Sequence, residues 1–274
     1  MTEKELLRTG VATANLLDLA RYPIDDLDSL EGRDLVERCR ADLAASGACQ
    51  LDGFITPDAI ETLAVEARQL APLAFYQDDT HNVYFEDIDE SLPDDDPRRI
   101  LQHSSSAAVA YDQIPGDAII RQIYEWDPLL HFVGAALSID PFYRNEDPLG
   151  ACNVIYYGEG DELGWHFDRA EFVVTLMIQA AEEGGGFEYI PWLRSDEDEN
   201  YDGVGRLLRG DRSDVIELPS KPGTLALFRG RRSIHRVPHV KGSRLRTNAV
   251  LSYGDRPGKK LNEYTQRLFY GRTA

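Results

Sequence analysis

The pattern of apolar and polar positions changes near the middle of the chain. In the first half apolar residues recur at helical spacing. DLVERCRADLAAS (Asp34 to Ser46) has this period, and TPDAIETLAVEARQLAP opens with Thr56 as an N-cap and Pro57 at the first helical position. ACQLDGF, between the two, reads as a short strand entering the core. A third helical stretch runs from about Asp117 through Leu137, with a break near Asp127-Pro128. From Leu149 onward the runs shorten and alternate. GACNVIYYG, EFVVTLMIQA, GGGFEYIPW, DVIELP, GTLALFRG, RTNAVLSYG and QRLFYG are rich in Val, Ile, Leu, Tyr and Phe and are separated by Gly, Pro and acidic turns.

These runs predict an antiparallel region behind a layer of helices. The long helices that parallel crossovers require are missing, so a two-sheet jelly roll fits better than a parallel sheet. The expectation is a mainly β fold with α: a jelly roll flanked by N-terminal helices. It forms a single domain over 1–274, with a helix-rich layer over 1–148 and the jelly-roll core over 149–274. RSDEDENYDGVGRLLRGDRSD (Arg194 to Asp214) is too polar for core and reads as an excursion at one end of the sandwich.

Composition narrows the function. With 274 residues and 42% apolar content the chain supports a sizeable core. Its net charge of -19 opposes nucleic acid and anionic membranes as partners, and RGRR at Arg229 to Arg232 reads as a solvated turn. MTEKELLRTGVATANLLDLA does not read as a signal peptide, and no stretch approaches the roughly 20 apolar residues of a membrane span. Cys39, Cys49 and Cys152 are odd in number and lack close spacing, against a disulfide framework or a thiolate zinc site. A cytoplasmic protein that takes a small-molecule substrate and is able to form a homodimer is the expectation.

The candidate chemistry lies in LGWHFDR, residues 163–169. On a strand, residues two apart share a face, so His166 and Asp168 present an imidazole and a carboxylate together while Phe167 points away. A third ligand is expected from a distant strand, and RGRRSIHRVPHV supplies His235 just after GTLALFRG. Two histidines and one carboxylate on one side of a metal leave positions open, the arrangement suited to non-heme Fe(II) binding a cosubstrate and O2. His239, four residues on, is the alternative to His235, but Pro238 disturbs its geometry. His103 and His131 have no partner motif.

In order, YYGEGDELGWHFD, GGGFEYIP, PGTLALFRG, IHRVPHV and GSRLRTNAVLSY resemble Fe(II)/2-oxoglutarate-dependent oxygenases of the prolyl-hydroxylase-like type, over about residues 150–254. The resemblance implies a double-stranded β-helix with iron held by His166, Asp168 and His235, and 2-oxoglutarate and O2 as cosubstrates. The distal carboxylate of 2-oxoglutarate needs a fixed cation, for which arginine is suited. Arg244 and Arg246 share strand parity; Arg246 is preferred, because Arg244 beside Gly242-Ser243 is still in a turn. Tyr157 is placed like the tyrosine that donates a hydrogen bond to 2-oxoglutarate in such enzymes. Halogenases of this superfamily replace the carboxylate ligand with Gly or Ala. Standalone members acting on free amino acids resemble this chain in GWH and in a C-terminal aromatic pair. Asp168 retains the carboxylate, so hydroxylation of a free amino acid or related metabolite is expected, with Phe269-Tyr270 closing over substrate. HNVYFED (His81 to Asp87) lies over the mouth, His81 and Glu86 are candidates to bind substrate, and Asn248 faces the same cavity. Peptidyl side-chain hydroxylation and a non-catalytic, cupin-like metal-binding jelly roll are the alternatives.

Overall fold

A computed structural model of the protein describes residues 13–274. The reading of the first twenty residues lies largely outside this span. The helices are α1 (Leu30–Ser46), α2 (Pro57–Leu70), α3 (Ile119–Glu125), α4 (Asp127–Leu137), α5 (Tyr201–Leu208) and α6 (Glu263–Tyr270). The strands are β1 (Ala48–Leu51), β2 (Phe75–His81), β3 (Gln102–Val109), β4 (Tyr143–Arg144), β5 (Cys152–Tyr157), β6 (Leu163–His166), β7 (Val173–Gln179) and β8 (Glu183–Gly184). They continue with β9 (Phe187–Ile190), β10 (Ile216–Leu218), β11 (Leu225–Phe228), β12 (Ile234–Val237), β13 (Val240–Lys241), β14 (Arg246–Leu251) and β15 (Tyr253–Gly254).

Among the described residues the main sheet runs β1-β11-β7-β14-β5-β3-β6-β12-β9-β10, with β2 paired to β3. Phe228 of β11, near one end of that order, meets Phe187 of β9 and His235 of β12, near the other, each at a ring separation of 4.9 Å. The sheet therefore curls until its two halves face one another, as a jelly roll does.

Alternation along the strands separates two environments. Val174, Leu176 and Ile178 of β7, Val154 and Tyr156 of β5, and Ala249 and Leu251 of β14 are buried in one core with α1 to α4, contributed by Leu35, Leu63, Ile123 and Phe132 among others. The Tyr156 hydroxyl donates to the Ala67 carbonyl of α2 at 2.7 Å, fixing the helical layer on the sheet. The intervening residues point into the roll. Arg246 pairs with Tyr157, Asn248 with Ile155 and Val250 with Asn153 across β14 and β5. Arg246 and Asn153 are polar yet buried, so this inner face is polar-lined rather than an oily core.

Three elements differ from the expectation. QRLFYG, expected as a strand, lies in helix α6: the Asn262 side chain accepts from Thr265 N at its start, and Gly271 ends it at φ 66°. The polar excursion contains α5, capped by Asn200, whose Val204 and Leu207 bury against Trp165, Phe167 and Ile234 on the outer face of β6 and β12. Finally, β2 and β3 add strands from the helix-rich first half to the sheet. FYQDDTH and QHSSSAAV carry so few apolar side chains that no alternation was legible.

Candidate metal centre

The register of two short strands brings the histidines together. His235 of β12 lies directly opposite His166 of β6, and the ring centroids are 4.1 Å apart. Both rings are buried. His166 Nδ1 lies 2.8 Å from the Gly164 carbonyl and His235 Nδ1 lies 3.0 Å from the Ser233 carbonyl. A carbonyl only accepts, so each Nδ1 carries the proton and each Nε2 presents a lone pair. Burial pushes His166 down to about 3, with repulsion from His235 adding to it, and His235 down to about 4. Both imidazoles are neutral at pH 7, the state in which histidine ligates metals.

Asp168 follows β6 and turns its carboxylate toward both lone pairs. Its Oδ1 is 3.7 Å from His166 Nε2 and its Oδ2 is 3.6 Å from His235 Nε2, too long for hydrogen bonds. The residue is half-buried, but Oδ2 is enclosed and has no hydrogen-bond partner among the described residues. Burial pushes this carboxyl up, opposed by His166 and Arg194. Two imidazole lone pairs and a carboxylate thus converge, with ligand atoms all within 4.8 Å of one another. Three acceptors facing one point need a cation, and the donor set suits a first-row divalent metal.

Room for the carboxylate comes from Gly230. Asp168 N donates to the Gly230 carbonyl at 3.0 Å, and a Cβ on Gly230 would stand 1.7 Å from Asp168 Oδ2. The three atoms nearest that Cβ all belong to the Asp168 side chain, so Gly230→Ala is expected to fold while displacing the carboxylate. Fe(II) should raise the Tm of the parent protein by linkage and leave that of Gly230→Ala unmoved.

Aromatic contacts hold the imidazoles in place. His235 stacks on Phe187 at 5.3 Å and meets the edge of Phe228 at 4.9 Å. His166 meets Phe85 at 5.4 Å and His81 at 6.1 Å, both edge-on. The segment after β2 therefore lies against the metal centre. Asn82 pins it: its Oδ1 accepts from Tyr84 N and Glu86 N, and its Nδ2 donates to the Glu86 and Arg98 carbonyls. Phe85 adopts φ 55°, a costly conformation for an aromatic residue, and this turn sets its ring on His166. His81 is committed at both nitrogens, Nδ1 to the Asn82 carbonyl at 2.9 Å and Nε2 to Ser104 Oγ at 2.7 Å. Burial lowers its pKa. Glu86 is exposed, and only its backbone takes part in the segment.

Arg246 lies on the same inner wall. It is buried, its Nε donates to the Gly185 carbonyl at 2.8 Å, and its guanidinium carbon sits 5.1 Å from the centroid of the buried Tyr157 ring. No ion pair joins it to a carboxylate among the described residues, and burial drives its pKa down. Arg244 goes elsewhere. It precedes β14 in the turn and does not share the strand face; exposed, it donates to the Ala180 and Ala181 carbonyls at 3.0 Å each.

Of the remaining candidates, Asn248 faces the interior from β14, and its Oδ1 is buried without a donor among the described residues. Tyr270 is buried on α6 against Ala108, Ala110 and Leu149, with Phe269 beside it, and its hydroxyl faces Asn153. Neither ring touches the metal-centre histidines. His239 is exposed and turned to the Gly160 carbonyl and Glu162. Ser104, Phe85, Gly230 and Arg194 carried no motif in the sequence; the φ requirement at Phe85 and the contact at Gly230 exist only once the chain is folded.

His103 ties β3 to its surroundings through Glu162 at 2.9 Å and Asp78 at 3.0 Å. The Glu162 and then the Asp78 hydrogen bonds raise its pKa. A raised folded value means that this clamp is fully present below the unfolded histidine value of about 6.5 and is lost as pH rises through the folded one. The groups are partly exposed, so the contribution is up to about 1 kcal/mol and is screened by salt. His103→Gln should flatten the loss of Tm on raising the pH above neutrality, as read by thermal melts across that range.

The Halogenase D family matches residues 32–266. The chain belongs to that family. No curated protein sequence matches it. Among solved structures, an oxidoreductase of the 2OG-Fe(II) oxygenase family from Burkholderia pseudomallei aligns with a TM-score of 0.51 at 15% identity, over 82% of this chain and 92% of that one. The epimerase SnoN from nogalamycin biosynthesis, solved with Fe3+, alpha ketoglutarate and nogalamycin RO, aligns at 0.55 and 14%, over 81% and 84%. HygX from Streptomyces hygroscopicus, with nickel, 2-oxoglutarate and hygromycin B bound, aligns at 0.55 and 11%, over 82% and 89%. The fold of this Halogenase D family member is the jelly roll of 2-oxoglutarate-Fe(II) oxygenases. None of its helices among the described residues is long and apolar enough to cross a membrane.

Proposed function

We propose that the protein is an Fe(II)- and 2-oxoglutarate-dependent oxygenase that hydroxylates an unactivated C–H bond of a small molecule, a free amino acid or related metabolite. The observation that carries this reading is the pairing, on one inner wall, of three converging acceptors with a buried arginine that lacks a carboxylate partner. The first calls for a cation and the second for an anion. His166, Asp168 and His235 hold the iron. Arg246, oriented by the Gly185 carbonyl and the Tyr157 ring, holds the distal carboxylate of 2-oxoglutarate. When bound, iron, 2-oxoglutarate and O2 supply an oxidant able to remove a hydrogen atom from the substrate, with 2-oxoglutarate ending as succinate and CO2.

The chain's own residues decide the outcome. Asp168 occupies with carboxylate the position that halogenases leave to chloride, which favours hydroxylation over the halogenation of the family's name. The segment carrying His81 and Phe85 covers His166 and keeps water from that side. The carboxamide oxygens of Asn153 and Asn248, buried on the same face without a donor among the described residues, favour a substrate bearing amino hydrogens. Phe269 and Tyr270 close the wall behind Asn153. A screen of free amino acids for stimulated succinate release tests this reading: at least one amino-bearing metabolite should stimulate release that requires both Fe(II) and 2-oxoglutarate. Stimulation only by peptides would transfer the activity to a protein side chain.

A further inference from the structure

The run Arg229–Arg232 is more than a solvated turn. It joins β11 to β12, and beside it lies a recess of about 440 Å³ bounded by the C-terminal ends of α1 and α4. Arg40 donates through Nε to the Ala135 carbonyl at 3.0 Å, and Arg229 through Nη2 to the Leu137 carbonyl at 3.0 Å. The end of α4 thus orients two guanidiniums and uses only part of their donor capacity. Arg229 is half-buried and makes no ion pair among the described residues; burial lowers its pKa. Arg232 pairs with Asp196 through Nη2, but its Nε is buried without a partner among the described residues. Glu171, the acidic residue of the lining, is engaged by Arg231 at 3.2 Å and also acts on Arg229, opposing part of the effect of burial. Three arginines border one recess in a chain of net charge -19; Arg40 is paired with Glu37 at 2.6 Å and Arg232 with Asp196, which leaves Arg229 as the one without an ion pair among the described residues.

The opposite wall is apolar. Leu43, Ala44, Ala136 and Leu137 line it, and Trp192 faces the recess. Trp192 adopts φ 52°, a conformation that bulky residues avoid, while its backbone N–H donates to Ser233 Oγ at 3.2 Å. The indole is 38% exposed, so core packing does not account for this conformation. Costly backbone states of this kind cluster at ligand clamps, and here the conformation presents an aromatic face to the recess.

We propose that this recess binds a small organic anion, its carboxylate or phosphate on Arg229 and Arg232 and its apolar body against Trp192, Leu43 and Leu137. A planar acid group matches the guanidinium fork, and the volume lies within the range of small-molecule sites. The site is separate from the barrel interior: Gly230, the next residue after Arg229, faces Asp168, whereas Arg229 faces the recess.

Calorimetric titration of the full chain with phenylacetate, phenyl phosphate and inorganic phosphate tests the assignment. One of the two aromatic anions should bind more tightly than inorganic phosphate, and the tighter one identifies the acid group. Arg229→Gln and Trp192→Ala should each weaken that binding at least about tenfold, the scale of a charge-assisted hydrogen bond or of a lost ring contact. Arg246→Met, which alters the barrel interior, should leave it unchanged. Should Arg229→Gln fail to fold for want of its contact to α4, Arg232→Gln takes its place. Absence of heat with both aromatic anions at millimolar concentration would overturn the proposal. So would binding lost only in Arg246→Met, or binding indifferent to the recess variants.

Discussion

Asp168→Ala is expected to abolish substrate-stimulated succinate release and to weaken Fe(II) binding by more than about 100-fold, since loss of an outer partner of a ligand already costs about 10–100-fold. The carboxylate is the negative member of the proposed ligand set, and its enclosed Oδ2 has no hydrogen-bond partner among the described residues. Folding should survive, because the enclosed Oδ2 accepts no hydrogen bond among the described residues and burial, only partly opposed by His166 and Arg194, raises the carboxyl's pKa. Apo Asp168→Ala is therefore expected to melt at or slightly above the parent Tm, while the Fe(II)-dependent rise disappears. The variant also leaves space between His235 and Gly230. Chloride-dependent halogenation by it would show that this single side chain separates the two outcomes within the family. An Asp168→Ala protein that retains full Fe(II) affinity would remove Asp168 from the ligand set.

Arg246→Met should act on the cosubstrate and spare the metal. The guanidinium is buried with Tyr157 and the Gly185 carbonyl as its neighbours and no carboxylate pairs with it among the described residues, so on the proposed reading 2-oxoglutarate supplies the compensating charge. Removing one partner of a buried charged pair costs about 2–5 kcal/mol, so KM for 2-oxoglutarate should rise by roughly 30-fold to 1,000-fold or more. Fe(II) affinity should change little, and the Tm of the apo protein should hold or rise. Arg244→Ala is the control. Exposed and engaged with the Ala180 and Ala181 carbonyls, Arg244 should be replaceable with little effect on KM. The reverse ranking would mean that the strand face assigned to Arg246 is not the one that meets 2-oxoglutarate.

What the sequence made legible follows physical lines. Helices α1, α2 and α4 bury a periodic apolar face in the large core, and such periodicity is visible in one dimension. His166 and Asp168 were legible as a pair because Phe167 between them is committed to the opposite core. His235 stood out because it follows an apolar strand, and β12 pairs in a register that sets it opposite His166. Strands β2 and β3 were not legible. Their inward residues, Ser104, Ser106 and His81 among them, face a polar interior, so hydrophobic alternation is replaced by one that composition does not display. Helix α6 was masked by the Leu-Phe-Tyr run at its end, which is β-like when taken without Asn262 and Gly271. Gly230 had no signal at all, because its importance lies in a contact with a residue some sixty positions earlier.

The most direct test of the central claim is anaerobic addition of Fe(II) and 2-oxoglutarate to the parent protein, His235→Ala and Arg246→Met, followed by visible spectroscopy. The parent should develop a weak charge-transfer band that needs both additions; His235→Ala should lack it, and Arg246→Met should require far more 2-oxoglutarate to reach it. A parent protein that binds Fe(II) but gives no band at saturating 2-oxoglutarate would contradict the account and leave a structural metal site in its place.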